Sequence, residues 1–287
     1  MTIVTPSFNQ GEYLEETIRS VLDQDYPSLE YAVVDGGSSD GSVEIIRRYQ
    51  DRLAWWTSGP DGGQPAALNR AFERATGEIL GWVNSDDTLL PGAIARAVEE
   101  LERDPELLLV YGDAEFVDEH GAAIFTLHAR PFDVAEMLRT CSNHVVQPGS
   151  LFRRRALRPF NERAYYFFDF EWVLDLPPSL VRRIPETLAT YRVHPESKSA
   201  GAPLRKARDY VRIADEFFPP GEREGRASAY QAAGEYFYDA LELGAARRYL
   251  LRSLPRRPSA RALSLLGKSL LPRPVVARLK ERRAPRD

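Results

Sequence analysis

Two adjacent carboxylates, Asp86 and Asp87, follow a short apolar run and come directly after Asn84 and Ser85. Two neighbouring negative charges are unfavourable in a folded chain unless a cation neutralises them. Hard divalent ions such as Mg²⁺ and Mn²⁺ take carboxylate oxygens and often share them with substrate phosphates. The segment therefore indicates a metal site, although a polar turn between a strand and a helix favours the same residue types.

A second acidic segment begins at Asp35, which ends another apolar run and precedes Gly36 and Gly37. Its carboxylate could accept hydrogen bonds from a ligand, and the glycines would let the backbone approach that ligand closely. A plain turn, with Asp40 capping the next helix, accounts for the residues equally well. The chain has no G-x-G-x-x-G segment, so a dinucleotide-binding fold loses its main support.

Two further acids, Asp169 and Glu171, lie among aromatic residues. Burial against rings raises the pKa of a carboxyl group and suits it to act as a base near neutral pH. The alternative is an amphipathic helix with its rings in the core and its acids outside. His194 has Arg192 and Lys198 nearby and could bind a metal ion or meet phosphate charge, but a lone histidine is more often structural.

The elements that must position these side chains alternate along the first 130 residues. Segments with helical spacing of apolar residues separate five short β-rich runs. These runs lie at residues 2–5, 31–34, 53–57, 79–83 and 107–111. The alternation predicts an α/β fold with a mostly parallel sheet flanked by helices. In such sheets ligands bind beyond the carboxyl ends of the strands, where Asp35 and Asp86 lie.

The charge is distributed unevenly along the chain. Residues 1–202 carry 19 Lys and Arg against 32 Asp and Glu, whereas residues 203–287 carry 19 against 10. The second part has a helical pattern of apolar residues, with breaks near Pro219, Pro255 and Pro272. We therefore expect an α/β domain at residues 1–202 and a basic helical C-terminal extension at residues 203–287.

The composition excludes several classes of protein. Hydrophobic residues make up 43% and charged residues 28% of the chain, which excludes wholesale disorder. A single cysteine, Cys141, allows no intrachain disulfide and is typical of a reducing compartment. No apolar run reaches the length of a bilayer span, and no signal peptide follows Met1. We expect a cytoplasmic protein, either free or peripheral at the inner face of the membrane.

The order of the motifs closely resembles that of the family 2 glycosyltransferases. These are inverting, metal-dependent sugar transferases of the GT-A fold. The resemblance covers roughly residues 1–200 and includes residues 62–69, 111–114, 147–153 and 191–199. Its main segments are Thr5-Pro6-Ser7-Phe8-Asn9, Ser20-Val21-Leu22-Asp23-Gln24, Val34-Asp35-Gly36-Gly37-Ser38-Ser39-Asp40-Gly41 and Asn84-Ser85-Asp86-Asp87.

The resemblance implies a set of residues that bind the nucleotide and the donor sugar. Asp35 would hydrogen-bond the base, which is uracil or thymine. Asn84, Ser85 and Asp86 stand where the family often has Asp-x-Asp, so the first acid is here an asparagine. The other residues on the nucleotide and donor side would be Thr5, Pro6, Ser7, Asp61, Gln64 and Asn69.

The resemblance also implies a metal site and a base. Asp86 would be the direct ligand of Mn²⁺ or Mg²⁺, with Asp87 and the late histidine His194 assigned to the same site. The separate roles of Asn84 and Asp87 are left open. Asp169 resembles the catalytic base of the family, although relatives often have a second acid directly before it. Glu171 therefore is an alternative base.

These assignments predict transfer of a hexose-like sugar from a UDP- or dTDP-sugar to an acceptor hydroxyl with inversion. The acceptor would be a glycan or a lipid-linked molecule in the synthesis of polysaccharides or cell-surface glycans, and nucleic acid is not an expected partner. The alternatives are a non-catalytic protein that binds sugar nucleotides and a nucleotidyltransferase that makes them. A nucleotidyltransferase usually has a basic glycine-rich loop near its first strand, which residues 6–11 lack.

The end of the chain allows two interpretations. Residues 244–287 contain 13 Lys and Arg but 2 Asp and Glu, and apolar pairs lie between the arginines. The segment could be a helical appendage that packs on the catalytic domain. It could instead lie at a membrane surface, with its apolar side at the headgroups and its cations on anionic lipid.

Overall fold

The computed structural model describes residues 1–198 and 201–281, which form two compact units. As far as it is described, the first unit comprises Met1–Asp133, Asn143–Ala164 and residues 168–198. The second comprises Val134–Ser142, Tyr165–Phe167 and residues 201–281. Two short segments from the middle of the chain therefore group with the C-terminal helices. The expected boundary near residue 202 took no account of these segments.

The strands and helices follow one another closely along the chain. The strands are β1 Thr2–Ser7, β2 Glu30–Asp35, β3 Trp55–Ser58, β4 Ile79–Trp82, β5 Thr88–Leu89, β6 Leu109–Val117, β7 Ala123–Leu127, β8 Leu151–Arg153 and β9 Val181–Arg192. The helices are α1 Gly11–Leu22, α2 Ser42–Tyr49, α3 Gln64–Arg74, α4 Ala93–Arg103, α5 Val134–Thr140, α6 Phe168–Leu174, α7 Pro203–Arg212, α8 Arg223–Asp239, α9 Leu243–Ser253, α10 Ala260–Ser269 and α11 Arg273–Glu281.

The first unit is built on a sheet in the order β3-β2-β1-β4-β8-β6-β9-β5, with β7 paired to β6. The four strands from β3 to β4 are parallel, as the alternation predicts, and β6 is parallel to β9. Strand β8 is antiparallel to both β4 and β6, so the sheet becomes mixed beyond β4. The predicted α/β fold, with a sheet flanked by helices, is confirmed.

Apolar side chains from helices and strands form the core of the first unit. Leu14 and Ile18 of α1, Ile46 of α2 and Ile94 of α4 join strand residues in one buried cluster. A second cluster consists of aromatic side chains, in which Phe72 of α3 packs against Trp82 of β4 and Phe152 of β8. These clusters bury the strands. The polar residues that follow β1, β2 and β4 therefore lie outside both clusters, at the carboxyl ends of those strands.

The second unit is helical. Its core contains Ala207, Ala233, Phe237, Ala246 and Val276, which come from α7, α8, α9 and α11. The predicted helical character of the C-terminal part is therefore confirmed over the described residues. Among those residues, no helix is both long enough and apolar enough to span a bilayer.

Candidate active site

The parallel register places three polar side chains side by side at the carboxyl ends of β1, β2 and β3. Ser7 is opposite Asp35, and Asp35 is opposite Ser58. Because the register continues to the last residue of each strand, these side chains end on one line across the sheet. The predicted site after β2 thus has polar side chains from both neighbouring strands beside it, and ligand binding there stays a prediction.

Asp35 is 1% exposed and is held by hydrogen bonds from its own turn and from β3. Its Oδ2 accepts hydrogen bonds from the backbone N–H of Gly37 at 3.0 Å, from that of Ser38 at 2.9 Å and from the Ser58 hydroxyl at 2.7 Å. Its Oδ1 accepts from the Ser38 hydroxyl. Each carboxylate oxygen offers about two acceptor positions, and Oδ1 accepts one hydrogen bond, so Oδ1 has room for one more donor from a ligand.

Strand β1 contributes the other predicted residues of this corner. The Thr5 hydroxyl is hydrogen-bonded to the Tyr31 hydroxyl at 2.9 Å, and Thr5 and Pro6 are buried. The Ser7 hydroxyl is buried and has no hydrogen-bond partner in the described structure. A buried hydroxyl without a partner is unfavourable, so a ligand or water that supplies one would be stabilised there.

Phe8 is a functional candidate that the motif analysis did not single out. It directly follows β1 and is 60% exposed, an unusual state for a phenylalanine beside buried polar residues. Gly36 separates it from Asp61: a Cβ added at Gly36 would lie 3.2 Å from Phe8 and 3.1 Å from the Asp61 carboxylate. An aromatic residue directly after the first strand is the signal that could have identified it.

Asp61 and Asn69 differ in what the structure lets them do. One carboxylate oxygen of Asp61 accepts from the Gly63 N–H at 2.8 Å, while the other points towards Gly36. Asn69 accepts from the Phe160 N–H at 2.7 Å and donates to the Phe160 carbonyl at 2.9 Å and to Glu162 at 3.1 Å. Its amide therefore braces the chain around Phe160, and its predicted contact with a donor stays a prediction.

A hydrogen-bonded group that we call the Gln64 network follows β4. The Gln64 side chain donates to the side-chain carbonyl of Asn84 at 2.7 Å and accepts from the Lys198 ammonium at 2.7 Å. The Asn84 amide in turn donates to Asp87 at 3.0 Å and to Gln147 at 3.1 Å. Both ends of the Asn84 side chain are thus engaged within the protein, and its predicted contact with the donor stays a prediction.

Asp87 is 1% exposed and lies inside the protein. Its carboxylate accepts hydrogen bonds from the Arg192 N–H at 3.0 Å and from Asn84. Burial, and then the neighbouring charge of Asp86, raises the pKa of Asp87 well above its usual value. The preceding residue, Ser85, is buried as well. Asp87 thus links the turn after β4 to the end of β9, and its predicted role as a metal ligand stays a prediction.

Asp86 and His194 form the pair that could hold a cation. The Asp86 Oδ2 lies 3.1 Å from the His194 Nε2. The histidine side chain is 2% exposed and its ring packs on Tyr13 at 4.6 Å, whereas the Asp86 side chain is 17% exposed. Arg192 donates to the backbone carbonyl of Asp86 at 3.1 Å. Residues that are 108 positions apart in the sequence thus meet at the end of β4.

The pair fits a divalent cation in the way that a shared site requires. A carboxylate oxygen and an imidazole nitrogen 3.1 Å apart can both bind one ion, and part of Asp86 is open to solvent. Within residues 1–198 and 201–281, no group of three or more His, Cys, Asp or Glu could hold a metal. A cation here would therefore need ligands from substrate phosphates or water, as Mg²⁺ and Mn²⁺ usually do.

The two candidate bases lie on α6 but have different surroundings. They are two residues apart, so they project from different sides of the helix. Asp169 accepts from Asn143 at 3.2 Å, and Glu171 accepts from Asn161 at 2.8 Å. Burial raises the pKa of Asp169, and the charge of Lys198 opposes that rise. Since Lys198 also belongs to the Gln64 network, Asp169 is the candidate base that lies within reach of the charge in that network.

Asn143 and Gln147 are residues that the motif analysis did not assign to the site. Asn143 holds Asp169, and Gln147 donates to the Trp82 carbonyl at 2.7 Å while it accepts from Asn84. Neither lies in a regular strand or helix. No periodicity or spacing marks Asn143, so only the folded structure reveals it, whereas Gln147 begins one of the segments that resemble the family.

Sequence comparison agrees with this geometry. The profile described as Glycosyl transferase family 2 matches residues 2–159, more than half of the chain. The chain belongs to this family. An uncharacterized glycosyltransferase of Rickettsia typhi is 26% identical over 224 residues, which are 73% of this chain and 69% of the relative.

A second relative is matched over a shorter stretch. TuaG of Bacillus subtilis, whose name refers to a glycosyltransferase of teichuronic acid biosynthesis, is 37% identical over 90 residues. That stretch is 30% of this chain and 36% of TuaG. The match therefore spans about a third of the length of that protein.

Solved structures share the fold of this family 2 member. S. aureus TarS 1–349, in complex with UDP-GlcNAc, has a TM-score of 0.60 at 16% identity and covers 98% of this chain and 87% of that one. The mannosyltransferase PcManGT from Pyrobaculum calidifontis, in complex with GDP-Man and Mn²⁺, has a TM-score of 0.56 at 21% identity and covers 94% and 79%. These likenesses confirm the GT-A fold.

Proposed function

We propose that this family 2 member transfers a sugar from a nucleoside diphosphate to an acceptor hydroxyl with inversion. The observation that carries the proposal is the Gln64 network, which runs from the turn that contains Asp86 to the neighbourhood of Asp169. Asn84, two residues before Asp86, accepts from Gln64, and Gln64 accepts from Lys198, whose charge lowers the pKa of Asp169. One ligand could therefore touch a cation site at one end and a base at the other.

The nucleoside would bind at the carboxyl ends of β1 and β2. Asp35 has an acceptor position left on Oδ1, and a uracil or thymine base offers one N–H to fill it. The unpartnered Ser7 hydroxyl lies opposite Asp35 in the register and could serve a second polar group of the ligand. The exposed ring of Phe8 could lie against the face of the base. TarS and PcManGT, with the same fold, have been solved with nucleotide sugars, which supports a donor of this class.

The diphosphate would lie near Asp86 and His194, which would hold Mn²⁺ or Mg²⁺. A cation there would neutralise the charge that develops on the departing diphosphate. Lys198 adds a positive charge on the same side of the site, close enough to Gln64 for a hydrogen bond of 2.7 Å. The complex of PcManGT with GDP-Man and Mn²⁺ supports a requirement for a divalent cation.

Asp169 would act as the general base. Its carboxylate would take the proton of the acceptor hydroxyl while the acceptor oxygen bonds to the anomeric carbon. The bond from that carbon to the phosphate oxygen breaks on the opposite side, so a single displacement inverts the configuration. Asn143 would hold the carboxylate in place, and no nucleophile on the enzyme is needed.

The acceptor we propose is a glycan hydroxyl, free or carried on a lipid, as in polysaccharide or cell-surface glycan synthesis. The relationship to TuaG supports an acceptor of this class. A lipid-linked acceptor would place the enzyme at the inner face of the membrane. The acceptor must lie next to Asp169, since the proton passes to that residue.

The test is release of nucleoside diphosphate from a panel of UDP-, dTDP- and GDP-sugars. We expect one donor class to turn over with Mn²⁺ or Mg²⁺ and to stop when a chelator is added. Asp86→Ala and Asp169→Asn should both strongly reduce this turnover. Formation of pyrophosphate from a sugar phosphate and a nucleoside triphosphate would contradict the proposal, as would donor binding without release of diphosphate under any condition.

A further inference from the structure

Helix α10 presents apolar side chains to solvent. Leu263 is 55% exposed and Leu270 is 70% exposed, and the half-buried Leu266 lies on the same face between them. Two other residues of the helix, Ala262 and Ser269, are fully buried. The helix thus packs on its own unit with one face and leaves a leucine face uncovered.

Exposed apolar residues continue along the chain into α11. Leu271 is 40% exposed, and Val275 and Leu279, which are one helical turn apart, are 42% and 38% exposed. Val276 of the same helix is buried in the core of the second unit, so α11 is anchored on one side. We call the set Leu263, Leu266, Leu270, Leu271, Val275 and Leu279 the apolar stripe. Single exposed leucines are ordinary, but six partly exposed apolar residues in two consecutive helices and the link between them indicate a binding surface.

Positive charge surrounds the apolar stripe. Residues 244–287 carry 13 Lys and Arg but 2 Asp and Glu. Arg256 precedes α10, Arg273 begins α11 and Arg278 lies next to Leu279, and all three arginines are exposed. An amphipathic helix with leucines on one side and cations beside them is the pattern of proteins that lie in the headgroup region of a membrane.

We propose that the apolar stripe binds an anionic lipid surface, with its leucines among the headgroups and the flanking arginines on the lipid phosphates. A second copy of the chain is a poorer occupant, because a symmetric dimer through this face would bring its arginines together. An anionic membrane instead provides apolar contact and opposite charge at once. The proposal is independent of the proposed function, since it involves neither Asp86 nor Asp169.

The experiment is co-sedimentation of the full chain with vesicles. Vesicles of equal parts phosphatidylcholine and phosphatidylglycerol should pellet the protein at low salt, and high salt should release it. Pure phosphatidylcholine vesicles should bind it at least about tenfold more weakly, because the anionic charge is missing. Truncation is unsuitable here, since Leu250 and Val276 are buried core residues of the second unit.

Point variants separate the two contributions. Leu263→Gln with Leu270→Gln should lower the vesicle partition constant about tenfold, because two apolar side chains that the lipid would cover are replaced by polar ones. The matched control is Ile124→Gln with Leu127→Gln on β7, whose side chains are 54% and 38% exposed. It should bind like the wild type, and unchanged unfolding temperatures would show that each variant is folded.

The charge variant is Arg273→Gln with Arg278→Gln, matched by Arg47→Gln with Arg52→Gln in the first unit. The first should bind about tenfold more weakly with a shallower salt dependence, and the second should not change. The proposal is wrong if the wild type fails to pellet at low salt. It is also wrong if Leu263→Gln with Leu270→Gln binds vesicles as tightly as the control variant on β7. Concentration-dependent self-association that Leu263→Gln with Leu270→Gln removes would also overturn it in favour of a copy interface.

Discussion

Asp169 differs from an ordinary surface aspartate in both position and ionisation. It is held by Asn143, and burial raises the pKa of its carboxyl group. A raised pKa makes the ionised carboxylate a stronger base, while part of the side chain remains open to solvent. The same residue lies within the electrostatic reach of Lys198, so its basicity is set by two opposing effects.

Asp169→Asn should lower turnover by about 10²–10⁴ while donor binding stays unchanged, which is the usual contribution of a general base. Turnover numbers and donor affinity measured side by side check this. Glu171→Gln is the comparison, because Glu171 lies on the same helix and is bonded to Asn161 instead. If Glu171→Gln causes the large loss and Asp169→Asn does not, the base is Glu171.

The pH profile of turnover tests the role of Lys198. The base works when it is deprotonated, so activity falls as the pH drops through the raised pKa of Asp169. Lys198→Met removes a charge that lowers this pKa and should move the acid limb to higher pH. Arg47→Met removes an exposed charge elsewhere and should leave the limb in place. An unmoved limb in Lys198→Met would show that Asp169 is not the group observed.

The roles of Asn84 and Asn69 illustrate what residue types alone do not reveal. Both are amides on the predicted donor side, and neither residue type indicates whether its hydrogen bonds go to a ligand or to the chain. Asn84 connects Gln64 to Asp87, and Asn69 connects α3 to Phe160. Their partners lie up to 93 residues away, so only tertiary structure determines which groups they meet.

At the scale of elements, the parallel part of the sheet could be predicted and the mixed part could not. Buried strands such as β1 and β2 are continuous apolar runs with glycine-rich turns after them, which is a strong local pattern. Strand β9 contains Arg182, Arg183 and Pro185, and its pairing with β6 is irregular at two points. The pairing joins segments that are far apart in the sequence, so no local pattern predicts it.

Gly112 of β6 lies where the pairing with β9 first shifts its register, and the two strands approach each other closely there. A Cβ added there would lie 2.7 Å from the Glu186 carbonyl oxygen and would also overlap Leu188. Gly112→Ala should therefore destabilise the protein by about 1–3 kcal/mol, the usual effect of overpacking. A drop in the unfolding temperature and in the denaturant midpoint would confirm it.

Gly267 is the control position, because alanine there should change the stability in the opposite direction. It lies inside α10 with no heavy atom within 4 Å of an added Cβ, and its backbone is helical. Gly267→Ala should raise stability by about 0.5–1 kcal/mol through the better helix propensity of alanine. Equal effects of the two substitutions would contradict the close approach at Gly112.

The whole molecule combines an acidic α/β unit, which contains the candidate site, with a basic helical unit. The charge division and the helical character of the second part were visible in the sequence, because both depend on composition and local spacing. The grouping of α5 and residues 165–167 with the C-terminal helices was not, because it depends on contacts between distant segments. The same limit applied to the pairing of Asp86 with His194, which only the resemblance to family 2 suggested.

Binding at the candidate site should be visible in the stability of the whole chain. A ligand that binds only the native state raises the free energy of unfolding by about 2.7 kcal/mol at a hundredfold excess over its Kd. For a protein of this size, UDP with Mn²⁺ should raise the unfolding temperature by roughly 5–10 °C if it is the matching nucleotide.

Asp86→Ala should abolish the part of this shift that depends on Mn²⁺, because the cation loses its carboxylate ligand. The smaller shift caused by the nucleoside alone should survive, since we propose that Asp35, and not Asp86, contacts the base. Asp25→Ala removes an exposed carboxylate and should respond like the wild type. If Asp86→Ala keeps the full Mn²⁺ dependence, the cation lies elsewhere and the Asp86–His194 pair is an internal hydrogen bond.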